Sequence, residues 1–147
     1  MFFRRKPKMK IAIDEGAFLP VRAHDNDAGL DLRSPETVTV PAGGSVKIDT
    51  GVHVELPKGT TGLLFPKSGL NCKHGVLSFG VIDEGYTGSI VAKLYNHSTE
   101  DYHILSGDKI TQMVIVPIVV PREVIVKRIK SKGKGTRGER GFGSSGR

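Results

Sequence analysis

The chain alternates short apolar runs with turn residues at close, nearly regular spacing. IAI, GLDL, VTV, SVKIDTGVHVEL, GLLF, GVLSFGVI, SIVAKLYN, KITQMVIVPIVV and EVIVKRI read as strands, rich in Val, Ile, Thr and aromatic residues, and PAGG, PKGT, DEGYTG and SGD supply turns between them. No stretch keeps apolar residues at i, i+3, i+4 and i+7 over three turns, and KSGLNCKHG has room for one short helical turn. The pattern predicts an all-β subunit, a β-sandwich or distorted jelly roll. In IVPIVVPREVIV, Pro117 and Pro121 interrupt an apolar ribbon, and sheets tolerate proline at edges and bends. A strand that leaves its own sheet and crosses onto a neighbouring subunit is expected here, with an oligomer covering its apolar face.

Composition narrows the class. At 147 residues the chain fits one domain, and no apolar run approaches the roughly 20 residues of a membrane span. The opening MFFRRKPKMK is basic, but Asp14 and Glu15 break the following apolar run, so no secretory signal is expected. The sole cysteine, Cys72, has no partner for an internal bridge, which points to an intracellular, cytoplasmic protein. In that setting the sequon Asn96-His97-Ser98 is a chance match. The five histidines show no metal-ligand spacing.

Charge divides the chain into three parts. The formal net charge of +7 comes from its ends: residues 1–10 carry +5 and residues 127–147 carry +7, leaving −5 between them. Residues 1–9 form a basic segment, 10–130 the β domain, and 131–147 a Gly/Arg-rich arm with six glycines and one aromatic residue, Phe142. Such an arm should be mobile in the empty protein. Its GKGTRG matches Gly-x-Gly-x-x-Gly, but no helix follows, so the dinucleotide-binding reading fails.

Five segments place small, polar or charged residues at strand ends: AGLDL (28–32), FPKSGL (65–70), GVIDEGYTG (80–88), GDKITQMV (107–114) and RGERGFGSSG (137–146). Taken singly, Asp31, Ser68, Asp83 and Gln112 have ordinary structural roles in turns, caps and polar strand faces. Together and in this order they resemble the five motifs of the trimeric deoxyuridine triphosphatases, over about residues 20–147. The resemblance implies a jelly-roll homotrimer with a swapped C-terminal strand, three shared active sites and Mg²⁺-dependent hydrolysis of dUTP to dUMP and pyrophosphate. That activity limits uracil in DNA and supplies dUMP for dTMP synthesis.

The resemblance also distributes roles. Asp83 matches the base that activates water for attack on the α-phosphorus, a task an aspartate can perform when positioning and charge neutralisation supply most of the acceleration. Asp31, acting through water, and Gln112 match positions that shape the metal and phosphate environment, with Mg²⁺ on the triphosphate. Lys67, Ser68 and Gly69 would bind phosphate; lysine stands at position 67 where the family usually has arginine, keeping the charge but losing the bidentate fork. Tyr86 matches the tyrosine that packs on deoxyribose and excludes a 2′-hydroxyl. Gly80, Val81, Ile82 and Val91 match the hairpin that selects uracil. In the arm, Arg137, Gly143 and Ser144 would reach the terminal phosphates while Phe142 stacks on the base, an interaction worth about 1–3 kcal/mol. The arm would then be a lid that orders on substrate.

Two other readings compete. A deoxycytidine triphosphate deaminase shares a related fold and the DEGY turn, but needs a carboxylate at the ring that the strand entering 80–96 does not offer. A non-catalytic β domain could use its Arg/Gly tail on nucleic acid or an acidic protein, although such tails are commonly repeated and this one occurs once. The enzymatic reading requires neither nucleic acid nor a membrane.

Overall fold

The computed structural model describes residues 6–130, 140 and 141. Eleven strands and one helix occupy the described residues. The largest sheet has the order β2 (Gly29–Arg33), β11 (Lys109–Pro117), β6 (Thr60–Phe65) and β8 (Gly80–Ile82), all antiparallel. A second has the order β4 (Ser45–Asp49), β9 (Val91–Asn96) and β7 (Val76–Ser78). Two-stranded ribbons complete the jelly-roll framework: β1 (Lys10–Ile13) with β5 (Val52–Glu55), and β3 (Val38–Val40) with β10 (Tyr102–Ile104).

Side-chain alternation fixes the inner faces. In β9, Ala92, Leu94 and Asn96 are buried while Val91, Lys93 and Tyr95 face outward, the period of two of a strand with one wet face. Two apolar clusters result, one around Leu32, Val54, Leu64 and Met113, the other around Ile48, Leu94, Ile104 and Ile110. Asn96 is the polar exception. Its Nδ2 donates to the carbonyls of Val40 and Glu100 at 3.0 and 2.8 Å, and its Oδ1 accepts from the Ser98 N–H and hydroxyl. With its amide buried and committed, the sequon cannot present an acceptor to a glycosylating enzyme.

Several runs behave differently from their sequence pattern. SVKIDTGVHVEL and GVLSFGVI each divide between two sheets, after Asp49 and at Phe79, because a continuous apolar rhythm does not specify a pairing partner. KSGLNCKHG forms α1 (Ser68–His74), nearly two turns rather than one. β10, absent from the expected strands, forms because Tyr102–Ile104 pairs with Val38–Val40. EVIVKRI, expected as a strand, is not one. Val124 and Ile125 are 74% and 99% exposed, as are Val119, Val120 and Ile129 in large part. A strand needs hydrogen-bonding neighbours, and this segment has none among the described residues of its own chain. No described helix is long and apolar enough to cross a membrane.

Candidate functional site

The sheet order brings Asp31, Lys67 and Gln112 together. Gln112 on β11 lies opposite Asp31 on β2 and Phe65 on β6. The chain leaving β6 then turns Lys67 back over Asp31, whose side chain is only 4% exposed. The Lys67 ammonium pairs with one carboxylate oxygen, and the Lys109 ammonium donates to the other at 2.9 Å. Burial pushes the Asp31 carboxyl upward, but hydrogen bonds and charge from the two lysines outweigh it and hold the group below its ordinary value of 3.8. Gln112 Nε2 donates to the Pro66 carbonyl at 3.0 Å, bracing the segment that carries Lys67. Ser68 and Gly69, both exposed, open α1, where the first N–H groups of a helix lack intrahelical acceptors. Lys109 escaped the sequence reading. Its position three residues before Gln112 in GDKITQ was the available signal.

The second group lies at the other end of β6. β8 runs antiparallel to β6, with Gly80 opposite Leu64 and Ile82 opposite Gly62, so Asp83 falls level with the start of β6 and Lys67 beyond its end. At strand rise this puts them about 20 Å apart in one chain. Within that second group, Val81, Ile82, Asp83, Tyr86 and Val91 line one cleft of about 330 Å³, at the small end for ligand pockets.

The cleft exists because residues 80–91 are not a paired hairpin, contrary to the expectation from sequence. β8 belongs to one sheet and β9 to the other, and β9 pairs with β7 only from Leu94 onward. Gly80–Ile82 is therefore a sheet edge with backbone groups available to a ligand. Asp83 opens a tight turn in which its carbonyl accepts from the Tyr86 N–H at 3.1 Å, and Gly85 takes φ 87°, a conformation that excludes most side chains. The Asp83 side chain is exposed, with no hydrogen bond or ion pair among the described residues. Tyr86 lies across Gly88 and donates its hydroxyl proton to the Ser89 carbonyl at 2.9 Å. The Ser89 hydroxyl in turn bonds Asp49, and this bond, ahead of the Gly51 N–H, holds the Asp49 carboxyl below its ordinary value.

A Cβ built on Gly88 would stand 2.5 Å from the Tyr86 hydroxyl and 2.7 Å from its Cζ. Gly88→Ala is accordingly expected to push the Tyr86 ring off its seat. For a substrate bound in this cleft, KM should rise by about tenfold, the cost of one displaced aromatic contact, with a smaller change in kcat; steady-state kinetics would check it. Arg137, Phe142, Gly143 and Ser144 lie outside the described residues.

A family model described as dUTPase matches residues 16–146. The deoxyuridine 5′-triphosphate nucleotidohydrolase of Crocosphaera subtropica is 41% identical over 139 residues, covering 92% of this chain and 96% of that one. A mutant dUTPase of Staphylococcus bacteriophage 80alpha, solved with dUpNHpp, superposes with a TM-score of 0.83 at 31% identity, covering 95% of this chain and 98% of that one. A mutant dUTPase from phage phi11 of S. aureus, solved for its coordination of a structural Mg(II) ion, gives a TM-score of 0.77 at 30% identity and covers 84% and 99%.

Proposed function

The chain belongs to the dUTPase family, and from that premise we propose how its residues divide the hydrolysis of dUTP to dUMP and pyrophosphate. The cleft carries this reading. Uracil enters between the Gly80–Ile82 edge and Val91, where backbone N–H and C=O groups can imitate a pairing base. Tyr86 packs on the deoxyribose, leaving a ribose 2′-hydroxyl both crowded and without a hydrogen-bond partner. Asp83, exposed at the cleft rim and without a side-chain partner among the described residues, takes a proton from the water that attacks the α-phosphorus.

The phosphates then extend toward donors of a different subunit. Support for a homotrimer with shared sites comes from two observations on one chain. Lys67 lies about 20 Å along β6 from Asp83, with Ser68 and Gly69 following it, and Gln112, opposite Phe65, about 13 Å, too far to serve the same α-phosphate. The ribbon from Val119 to Ile129 exposes apolar side chains that a swapped strand would cover. Arg137, Phe142, Gly143 and Ser144 complete the site as the closing arm.

Among the described residues no group of three or more His, Cys, Asp or Glu side chains forms a metal cage, and both Asp31 oxygens are engaged by lysines. These residues fit Mg²⁺ carried on the triphosphate rather than held by protein ligands, with Asp31 and Gln112 acting through water. When bound, the ion would neutralise charge on the phosphate oxygens. Lys67 keeps a cation at the phosphates, and Lys109 keeps Asp31 compensated when Lys67 turns toward them.

Pyrophosphate release from dUTP, UTP, dCTP and dTTP, each with Mg²⁺ and with EDTA, tests the assignment. Rapid release is expected from dUTP with Mg²⁺ alone. Ammonia from dCTP would instead support the deaminase, and no reaction with any of the four would overturn the enzymatic reading.

A further inference from the structure

Behind the cleft, a histidine ties the middle of the loop carrying Asp83 and Tyr86 to the β1–β5 ribbon, beside the backbone bond from the Ile90 N–H to the Val52 carbonyl at the loop's end. His53 on β5 places Nδ1 2.8 Å from the Thr87 carbonyl oxygen and Nε2 3.1 Å from Asp14 Oδ1. Thr87 follows Tyr86 directly, and Asp14 follows β1, where its N–H is fixed by the Gly51 carbonyl at 2.8 Å. A carbonyl oxygen accepts hydrogen bonds and cannot donate; an ionised carboxylate likewise only accepts. Both contacts are hydrogen bonds at once only when both ring nitrogens carry protons, that is, in the imidazolium.

We infer that His53 is a positioning residue for dUTP hydrolysis: as an imidazolium it holds the Thr87 carbonyl, and through it the Tyr86 wall of the nucleotide cleft, so nucleotide binding weakens when the ring loses its second proton. This inference rests on the reading of that cleft as the nucleotide site.

The surroundings favour the charged ring. The bond to Thr87 is the first cause that raises its pKa above the ordinary 6.5, followed by the bond to Asp14, against a smaller opposing effect of burial; the charges of Asp14 and Asp49 add to the rise. Lys10 and Glu55 line the same space and neutralise one another through a 3.0 Å ion pair. Because the folded value lies above 6.5, the tether is complete at and below that pH and is lost as pH rises through the folded value. The one remaining proton belongs on Nε2, since a charge-assisted bond to carboxylate is the stronger of the two. Nδ1 then presents a lone pair to the Thr87 carbonyl, and two acceptors at that distance repel. A cavity of about 360 Å³ bounded by His53, Thr87, Val54 and Ala12 gives the loop room to shift.

The test compares wild type with His53→Gln, which cannot titrate, using the KM for dUTP and the Kd of dUpNHpp between about pH 6 and pH 9. Taking the ratio of the two proteins at each pH cancels every pH effect that they share, that of the nucleotide included. The wild-type advantage in KM and Kd should be about three- to tenfold at the acid end and vanish at the alkaline end, with kcat changing less. In wild type, the Gly88 amide nitrogen, which shares a peptide unit with the Thr87 carbonyl, should titrate in NMR spectra with the His53 ring. A pH-independent ratio in active protein, or a Gly88 resonance that ignores the ring titration, would overturn the inference. Coupled titration of Gly88 and His53 in a protein that neither binds dUpNHpp nor hydrolyses dUTP would locate the failure in the nucleotide-site reading, and the positioning role would fall with it.

Discussion

Asp83→Asn is expected to lower kcat for dUTP by about 10²–10⁴-fold, the usual contribution of a positioned general base, which is about 3–5 kcal/mol of transition-state stabilisation. The amide can still orient water by accepting a hydrogen bond, but it is not a base. Binding should survive, because the cleft walls and the phosphate donors are other residues, and the Kd of dUpNHpp should stay within about threefold of wild type. Folding should survive as well. The side chain is exposed and has no partner among the described residues, so the stability change should fall within about 0.5 kcal/mol. Rapid-quench turnover and calorimetric binding on the same preparation separate these outcomes. A variant with near-normal kcat would assign the base elsewhere, and one that no longer binds dUpNHpp would make Asp83 a binding residue.

The second large effect concerns stability. Asp31→Asn keeps shape but leaves the Lys67 and Lys109 ammonium groups with no counter-charge at a position 3% exposed. Removing one member of a buried ion cluster costs about 3–5 kcal/mol. Here the lysine side chains are 26% and 38% exposed and can turn toward water, so the lower end is expected, about 3 kcal/mol. The effect should depend on pH. The folded-state carboxyl titrates below the ordinary 3.8, so its contribution is present above that pH and disappears as pH falls through the folded value. The difference in urea midpoint between wild type and Asp31→Asn, measured at one protein concentration, should therefore be largest near neutrality and shrink in acid. A difference that stays constant into acid would show that packing, not charge, holds this corner.

The sequence by itself determined most of the strands and the turn chemistry, missing β10 and over-reading EVIVKRI. In VAKLYN, side chains leave a strand on opposite faces in turn whatever lies around it, which puts Ala92, Leu94 and Asn96 on one face and Val91, Lys93 and Tyr95 on the other; packing decided which faces inward. The DEGY turn was legible for the same local reason, since Gly85 supplies the positive φ that Asp83–Tyr86 requires. The motif residues could be picked out because each group is contiguous in the chain.

Tertiary structure decided which of those groups meet. SVKIDTGVHVEL and GVLSFGVI each carry a single rhythm yet serve two sheets, and the cleft lined by Asp83 and Tyr86 opens where residues 80–91 pass between sheets instead of pairing. EVIVKRI has strand composition but no strand partner among the described residues of its own chain. The Asp31 carboxylate finds Lys67 and Lys109, and His53 finds Thr87, across 36, 78 and 34 residues. Periodicity is set by backbone geometry over two or three residues. Pairing, burial of charge and the separation of Asp83 from Lys67 depend on which distant strands collapse together, and no local pattern encodes that choice.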